Sequence, residues 1–210
     1  LMGVKPVFAD VDPTTFCVTS QTIEKQITSK TKLIVVIHTY GNVCDLDPII
    51  KTAKKNKIPI MEDTAESFGS TYKGKQSGSQ AEISTFSFQA TKTITTGEGG
   101  MVLTKLNKQF TDKLKAYRNH GVKITRYFHH LPGHNFRLTN IQAAIGCAQL
   151  KKFSIIKRER KRIYEYYKKF FENFDGLYLQ KFNKKVKPVV WTFALFIDEK
   201  KFPNRDKLIK

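Results

Sequence analysis

Residues 32–38, Lys32-Leu33-Ile34-Val35-Val36-Ile37-His38, form an unbroken apolar, mostly β-branched run. Such a run predicts a strand covered on both faces, as in a parallel sheet with helices on its two sides. Toward the C-terminus, Asp47-Pro48 reads as a helix start: a capping carboxylate, then a proline where no amide donor is missed. Ile49, Ile50 and Ala53 give that helix its apolar stripe. Ile58-Pro59-Ile60-Met61 predicts the next strand, closing at Glu62-Asp63. Toward the N-terminus, Pro6-Val7-Phe8-Ala9-Asp10-Val11 predicts a strand and Ser20 to Ile27 a short helix. Strand and helix in alternation predict an α/β fold.

The later residues extend this pattern and then change it. Residues 69–81, rich in Gly and Ser, predict a loop or hairpin. Ile83 to Phe88 alternates apolar and hydroxyl side chains, as a strand does. Gly97, Gly99 and Gly100 precede a strand at Met101-Val102-Leu103-Thr104, and Phe110, Leu114 and Tyr117 mark a helix face. Residues 119–138 are irregular and rich in His and Arg. From Thr139 a helical period runs through Ile141, Ala144, Ile145 and Ala148 to Phe153, Ile156, Ile163, Tyr167, Phe170 and Phe174, with a bend expected near residue 150. A domain boundary is placed there, dividing residues 1–150 from 151–210. Lys187 to Phe196 predicts a further strand. The first residues, Leu1-Met2-Gly3-Val4-Lys5-Pro6, carry no signal pattern and read as a cut within a domain.

Hydrophobic residues make up 40% of the 210 and charged residues 26%, as in a globular protein. No run of about 18 apolar residues exists, so no transmembrane helix and no membrane partner are expected. Cys17, Cys44 and Cys147 are odd in number and far apart, which fits reduced thiols in a cytoplasmic setting and no metal. The net charge is +19, with 19 basic against 11 acidic groups over residues 1–150 and 18 against 7 over 151–210. A charge of this size raises the alternative of a basic nucleic-acid-binding protein. The surplus lies along helical faces without a recognisable binding motif, so a solvated Lys-rich surface and no nucleic-acid partner are the favoured reading.

The chemistry-bearing residues concentrate in two places. Glu62-Asp63-Thr64-Ala65-Glu66 ends a strand, where α/β folds place ligands. After a loop, Thr85-Phe86-Ser87-Phe88-Gln89-Ala90-Thr91-Lys92 ends another. A lysine near a strand-end carboxylate suits a Schiff base whose cofactor ring that carboxylate holds, although a surface lysine is the commoner case. His120, His129, His130 and His134 do not have zinc spacing, and no Cys or carboxylate joins them.

These segments resemble the DegT/DnrJ/EryC1/StrS family of sugar aminotransferases, pyridoxal-phosphate (PLP) enzymes of fold type I, over about residues 5–170. The resemblance is carried by Val7-Phe8-Ala9-Asp10-Val11-Asp12-Pro13, His38-Thr39-Tyr40-Gly41-Asn42, Glu62-Asp63-Thr64-Ala65-Glu66-Ser67-Phe68-Gly69 and Ser87-Phe88-Gln89-Ala90-Thr91-Lys92. It continues in Gly97-Glu98-Gly99-Gly100, Arg118-Asn119-His120-Gly121 and Gly133-His134-Asn135-Phe136-Arg137-Leu138-Thr139. Thr93 to Met101 is most similar to the branch that aminates C4 of GDP-4-keto-6-deoxymannose.

The resemblance implies a mixed, mostly parallel sheet flanked by helices, N-terminally truncated, with the start of a smaller C-terminal domain. It implies Lys92 as the PLP-bearing lysine and Asp63 as the partner of the pyridinium nitrogen. Glu66 is implied near the ring oxygen and Ser87 at the phosphate. Asn135 is implied to reach the phosphate of a neighbouring subunit, making the site a property of a homodimer. Arg126, His129 and His130 are carried over as substrate-side candidates. His38, at the end of a buried-looking strand, is a further substrate-side candidate read from its position alone, and a core histidine hydrogen-bonded to backbone is the favoured reading for it. The implied partners are a nucleotide-linked keto sugar and L-glutamate. Within the family the rival is a keto-sugar dehydratase, whose members have histidine where Lys92 stands. A catalytically incomplete fragment is a further alternative, since the phosphate loop and ring-stacking aromatic expected before Leu1 are not in this sequence.

Overall fold

The computed structural model describes residues 3–202 and 205–208; Leu1 and Met2, part of the reading of the chain's start, lie outside the described residues. The main sheet has four strands: β1 (Ile34–Ile37), β2 (Ile60–Asp63), β5 (Ile83–Ser87) and β6 (Gly100–Thr104), side by side in that order. The first three run parallel and β6 closes the edge antiparallel. Helix α1 (Ser20–Glu24) precedes β1 and α2 (Leu46–Lys55) connects β1 to β2. Strands β3 (Thr71–Tyr72) and β4 (Lys75–Gln76) form the hairpin expected within residues 69–81. After β6 come α3 (Lys108–Arg118), α4 (Asn140–Lys151) and α5 (Phe153–Phe171), then β7 (Leu177–Leu179), β8 (Val186–Lys187), β9 (Leu195–Ile197) and α6 (Arg205–Leu208).

Local chemistry accounts for the helix starts. Thr19 and Thr22 form a reciprocal capping box at α1, as Thr139 and Gln142 do at α4, and the Asn107 side chain caps α3. The bend expected near 150 falls at Lys152, between α4 and α5. The cap of helix α2 falls two residues before the expected one. Asp45 stands at its N-cap position, but its carboxylate accepts from the Tyr72 hydroxyl and from Lys185 Nζ instead. Asp47 therefore falls in the first turn, where a negative charge suits the positive end of the helix.

The core lies under one face of the sheet. Ile34 and Val36 of β1 pack with Val43, Leu46, Ile49, Ala53, Ile60, Tyr72 and Val186. Burying a side chain such as Leu46 or Ile49 stabilises the fold by about 1.5–3 kcal/mol each. The other face of β1 is open: Val35 is 44% exposed and Ile37 48%. The expectation of a strand covered on both faces is thus corrected, because an apolar run reports burial without saying what covers it.

Three further expectations are corrected. Pro6–Val11 is no strand: only Val11 bridges, to Val18, and Val7 and Phe8 are exposed, so no ladder hydrogen bonds hold the run. The helical period ends at Phe171, and Leu177–Leu179 becomes a strand that pairs with β9. The strand expected over Lys187–Phe196 is split, its start pairing as β8 with β3 and its end as β9 with β7.

Strand β8 belongs to a return segment that runs back along the N-terminal half. Gln180 Nε2 donates to the carbonyls of Thr15 (2.8 Å) and Thr39 (3.2 Å), and the Val189 amide donates to Ser70 Oγ (2.8 Å). Gly41 admits this segment. Its φ is +100°, and a Cβ there would stand 2.3 Å from the Val189 carbonyl oxygen, so no other residue allows the approach.

Candidate active site

The C-terminal ends of the parallel strands bring the candidate residues to one edge of the sheet. Ile37 is in register with Asp63, and Asp63 with Thr85, so His38, Asp63 and Ser87 leave the sheet on the same side. This is where open α/β sheets hold ligands.

Lys92 sits in the turn after β5. Its amide donates to the Gln89 carbonyl (3.0 Å), and Gln89 Oε1 in turn accepts from the Thr91 amide (2.9 Å). The Lys92 side chain is 14% exposed, and its Nζ lies 3.9 Å from Glu66 Oε1. The other Glu66 oxygen accepts from the Tyr40 amide at 3.0 Å. Tyr40 holds this position at φ 58°, a conformation costly for a non-glycine residue and found where function or packing requires it.

Asp63 closes β2. Its Oδ1 accepts from the Ala65 amide (3.0 Å), and its Oδ2 has no hydrogen-bond partner among the described residues. Ser87 closes β5, with its Oγ accepting only a long 3.4 Å bond from the Gln89 amide and its hydroxyl proton uncommitted. A primary amine, a carboxylate oxygen to spare and an unspent hydroxyl are among the groups that a PLP site uses. The residues present fit that cofactor.

His38 leaves the sheet at this edge, but its side chain turns into the core. It is fully buried, Nε2 lies 3.0 Å from Glu62 Oε2, and Nδ1 accepts from the Cys44 amide at 3.3 Å. With Nδ1 accepting, Nε2 carries the proton and donates to Glu62. Its substrate-side assignment is corrected in favour of the core alternative, because both ring nitrogens are occupied inside the fold. Burial pushes the Glu62 carboxyl up, but hydrogen bonds from His38 and the amides of Ala81 and Gly78 outweigh it and hold the group below its ordinary value.

Arg126, His129 and His130 lie in the exposed segment between α3 and α4. Arg126 stacks on Tyr127, His129 Nδ1 lies 2.6 Å from the His120 carbonyl, and His130 packs edge-on against Phe128. Asn135, also exposed, bridges through its backbone to Asn119, and its side chain has no partner among the described residues. Among the described residues no hydrogen bond, ion pair or ring contact links these four to Lys92, Asp63 or Glu66. A cavity of about 230 Å³ lined by Cys17, Thr19, Cys44 and Asp45 lies elsewhere and includes none of the candidates. No cluster of metal-ligating side chains occurs among the described residues.

Two residues near Lys92 had no assigned role in the sequence. Trp191 places its ring centroid 3.7 Å from Lys92 Nζ, and Arg160 donates to the Lys92 carbonyl at 3.3 Å. Trp191 is the only tryptophan of the chain, the one signal that singles it out.

Comparison with known proteins places this geometry. The profile of the DegT/DnrJ/EryC1/StrS aminotransferase family matches residues 1–210, and the chain belongs to that family, which is PLP-dependent. It is 45% identical over 168 residues to a GDP-perosamine synthase of Escherichia coli O157:H7, covering 80% of this chain and 46% of that one. Among solved structures it is similar to Helicobacter pylori PseC, an aminotransferase involved in pseudoaminic acid biosynthesis. The TM-score is 0.89 at 32% identity, over 99% of this chain and 56% of that one. It is also similar to the E. coli GDP-4-keto-6-deoxy-D-mannose-3-dehydratase with bound hydrated PLP, with a TM-score of 0.85 at 27% identity over 96% and 56% of the two chains. The chain spans about half the length of the curated relatives it matches. Its sheet and flanking helices have the fold type I architecture of these transferases.

Proposed function

We propose that this chain carries the catalytic lysine of a PLP-dependent aminotransferase that transfers the amino group of L-glutamate to a nucleotide-linked 4-keto-6-deoxy sugar, as a perosamine synthase does. The observation that supports it most is Lys92 itself: a shielded primary amine in a turn at the ligand-binding edge of the sheet, beside Glu66. A dehydratase of the same family is the second reading, since one such enzyme is among the similar structures. Lysine rather than histidine at position 92 favours amine transfer.

PLP, when bound, supplies an electron sink next to the carbon that gains or loses the amine. Asp63 Oδ2 holds the proton on the ring nitrogen, which keeps that sink effective. Ser87 Oγ donates to the phosphate. Glu66, steadied by the Tyr40 amide, would lie near the ring oxygen of the bound cofactor. Lys92 Nζ takes up a proton and returns it in each half of the reaction, as a general base and then an acid. Asn135, exposed and unspent, reaches the phosphate held by a second copy, so the working unit is a homodimer. Arg126, with a fork of donors, His129 and His130 face the sugar diphosphate. The division into a large domain over residues 1–150 and the start of a small one over 151–210 belongs to the same reading, as does a cytoplasmic setting. No helix among the described residues is long and apolar enough to cross a membrane.

Incubation with PLP, borohydride reduction and peptide mass spectrometry test the assignment. The expected result is a reduced adduct on Lys92 that Lys92→Ala lacks. Product analysis with glutamate and a panel of keto-sugar nucleotides should then give an aminated sugar. An adduct on another lysine, or a dehydrated product, overturns the reading.

A further inference from the structure

We propose that Trp191 is the positioning residue for the Lys92 amine. The inference rests on the assignment of Lys92 as the PLP-bearing lysine.

Lysine has a long, flexible side chain, and a lysine meant to react at one atom has to be held without being consumed. Among the described residues Lys92 Nζ makes no hydrogen bond; its neighbours are Glu66 Oε1 at 3.9 Å and the Trp191 ring at 3.7 Å. A ring face attracts the ammonium form electrostatically and fixes no single N–H; the lone pair that attacks an aldehyde appears once that ammonium gives up a proton. The nitrogen is thus aimed while its bonding capacity stays free for an aldehyde carbon.

The indole is in turn fixed from three directions. Its Nε1 donates to the Thr91 carbonyl (2.8 Å), one residue before Lys92. Its plane lies 19° from that of Tyr40, centroids 6.5 Å apart, and its amide donates to the Tyr40 carbonyl (3.2 Å). The Tyr40 amide also holds Glu66, so both neighbours of the amine are referred to one residue. Arg160 on α5 spans the arrangement, donating from Nη1 to the Trp191 carbonyl (2.9 Å) and from Nη2 to the Lys92 carbonyl (3.3 Å). A rigid guanidinium fork sets that spacing in a way a lysine could not. Ring and amine are therefore locked to each other through backbone and side chain.

Condensation of Lys92 Nζ with the PLP aldehyde forms a C=N bond and releases one water, and borohydride hydride then fixes it. The rate at which the trapped adduct accumulates reports how well the amine is aimed. Trp191→Ala should slow it about tenfold, and Trp191→Phe, which keeps a ring face, should stay within about threefold of the parent, at matched thermal midpoints. Because Trp191 is the only tryptophan, its fluorescence is a second readout: adduct formation at Lys92 should quench emission in step with the trapped fraction, and Lys92→Ala should abolish that quenching. Adduct formation by Trp191→Ala at the parent rate, or a phenylalanine variant as slow as the alanine variant while both remain folded, overturns the role. If the variants unfold, the parent decides: emission unchanged by a full adduct at Lys92 overturns the role by itself. Failure of the parent to form any adduct at Lys92 instead removes the underlying assignment.

Discussion

The inner end of β2 and the segment from residue 119 to 151 treat their side chains in opposite ways. Glu62 is fully buried and fully answered: Oε1 accepts from the amides of Gln80 (2.7 Å) and Ala81 (2.6 Å), Oε2 from Gly78 (2.9 Å) and His38. In the later segment Ile124, Tyr127, Phe136 and Ile141 stand exposed, Ile141 at 77%. Within the chain nothing covers these side chains among the described residues. The difference teaches that Asp63 follows a residue whose carboxylate is answered wholly within the chain, whereas Asn135, Arg126, His129 and His130 are carried on a surface left open.

The largest effect that would break this contrast is at Glu62. Glu62→Gln puts an amide donor against backbone N–H groups and should cost about 3–5 kcal/mol in urea unfolding; a loss below about 1 kcal/mol would show the buried network to be slack. The same carboxyl sets an acid dependence. Its folded value lies below the ordinary 4.5, so its contribution is fully present above pH 4.5 and is lost as pH falls below it. Stability of the parent should fall in that range, and Glu62→Gln should flatten the fall. Next in size is a pair of alanine substitutions. Ile49→Ala, in the core, should lose about 2–5 kcal/mol, while Ile141→Ala should stay within about 0.5 kcal/mol in the separated chain. A comparable loss at Ile141 would mean that its face is already covered. The smallest perturbation is chemical. Cys147 is exposed and Cys17 and Cys44 are buried, so an aromatic disulfide reagent should titrate Cys147 rapidly and the other two only after denaturant is added.

The sequence was most legible where local chemistry decides. The helical period was placed from Thr139 onward, where Thr139 caps α4, and the Lys92 region was recognisable because its motif is contiguous. The one cap read from the sequence, Asp47, fell two residues late because Asp45 stands there. It was least legible where distant segments decide. The apolar run at 32–38 identified β1 but not its open face. Pro6–Val11 has strand composition, yet only a partner strand could have made it one. Leu177–Leu179 is a strand because Leu195–Ile197 lies beside it. His38 has the same neighbours in sequence whether it faces a cleft or Glu62, and only the register of β1 on β2 decides. Trp191 escaped notice for the same reason: the Thr91 carbonyl it binds lies 100 residues away.

That separation bears on how the chain is made. A ribosome delivers the N-terminus first, at about 5–20 residues per second. Tyr40, Glu66 and Lys92 all emerge well before Trp191, and the carbonyls of Thr15 and Thr39 and the Ser70 hydroxyl lack their partners until Gln180 and Val189 follow. For those seconds Lys92 has emerged but the Trp191 ring that packs against its amine has not, so that contact forms with the return segment and not with the lysine.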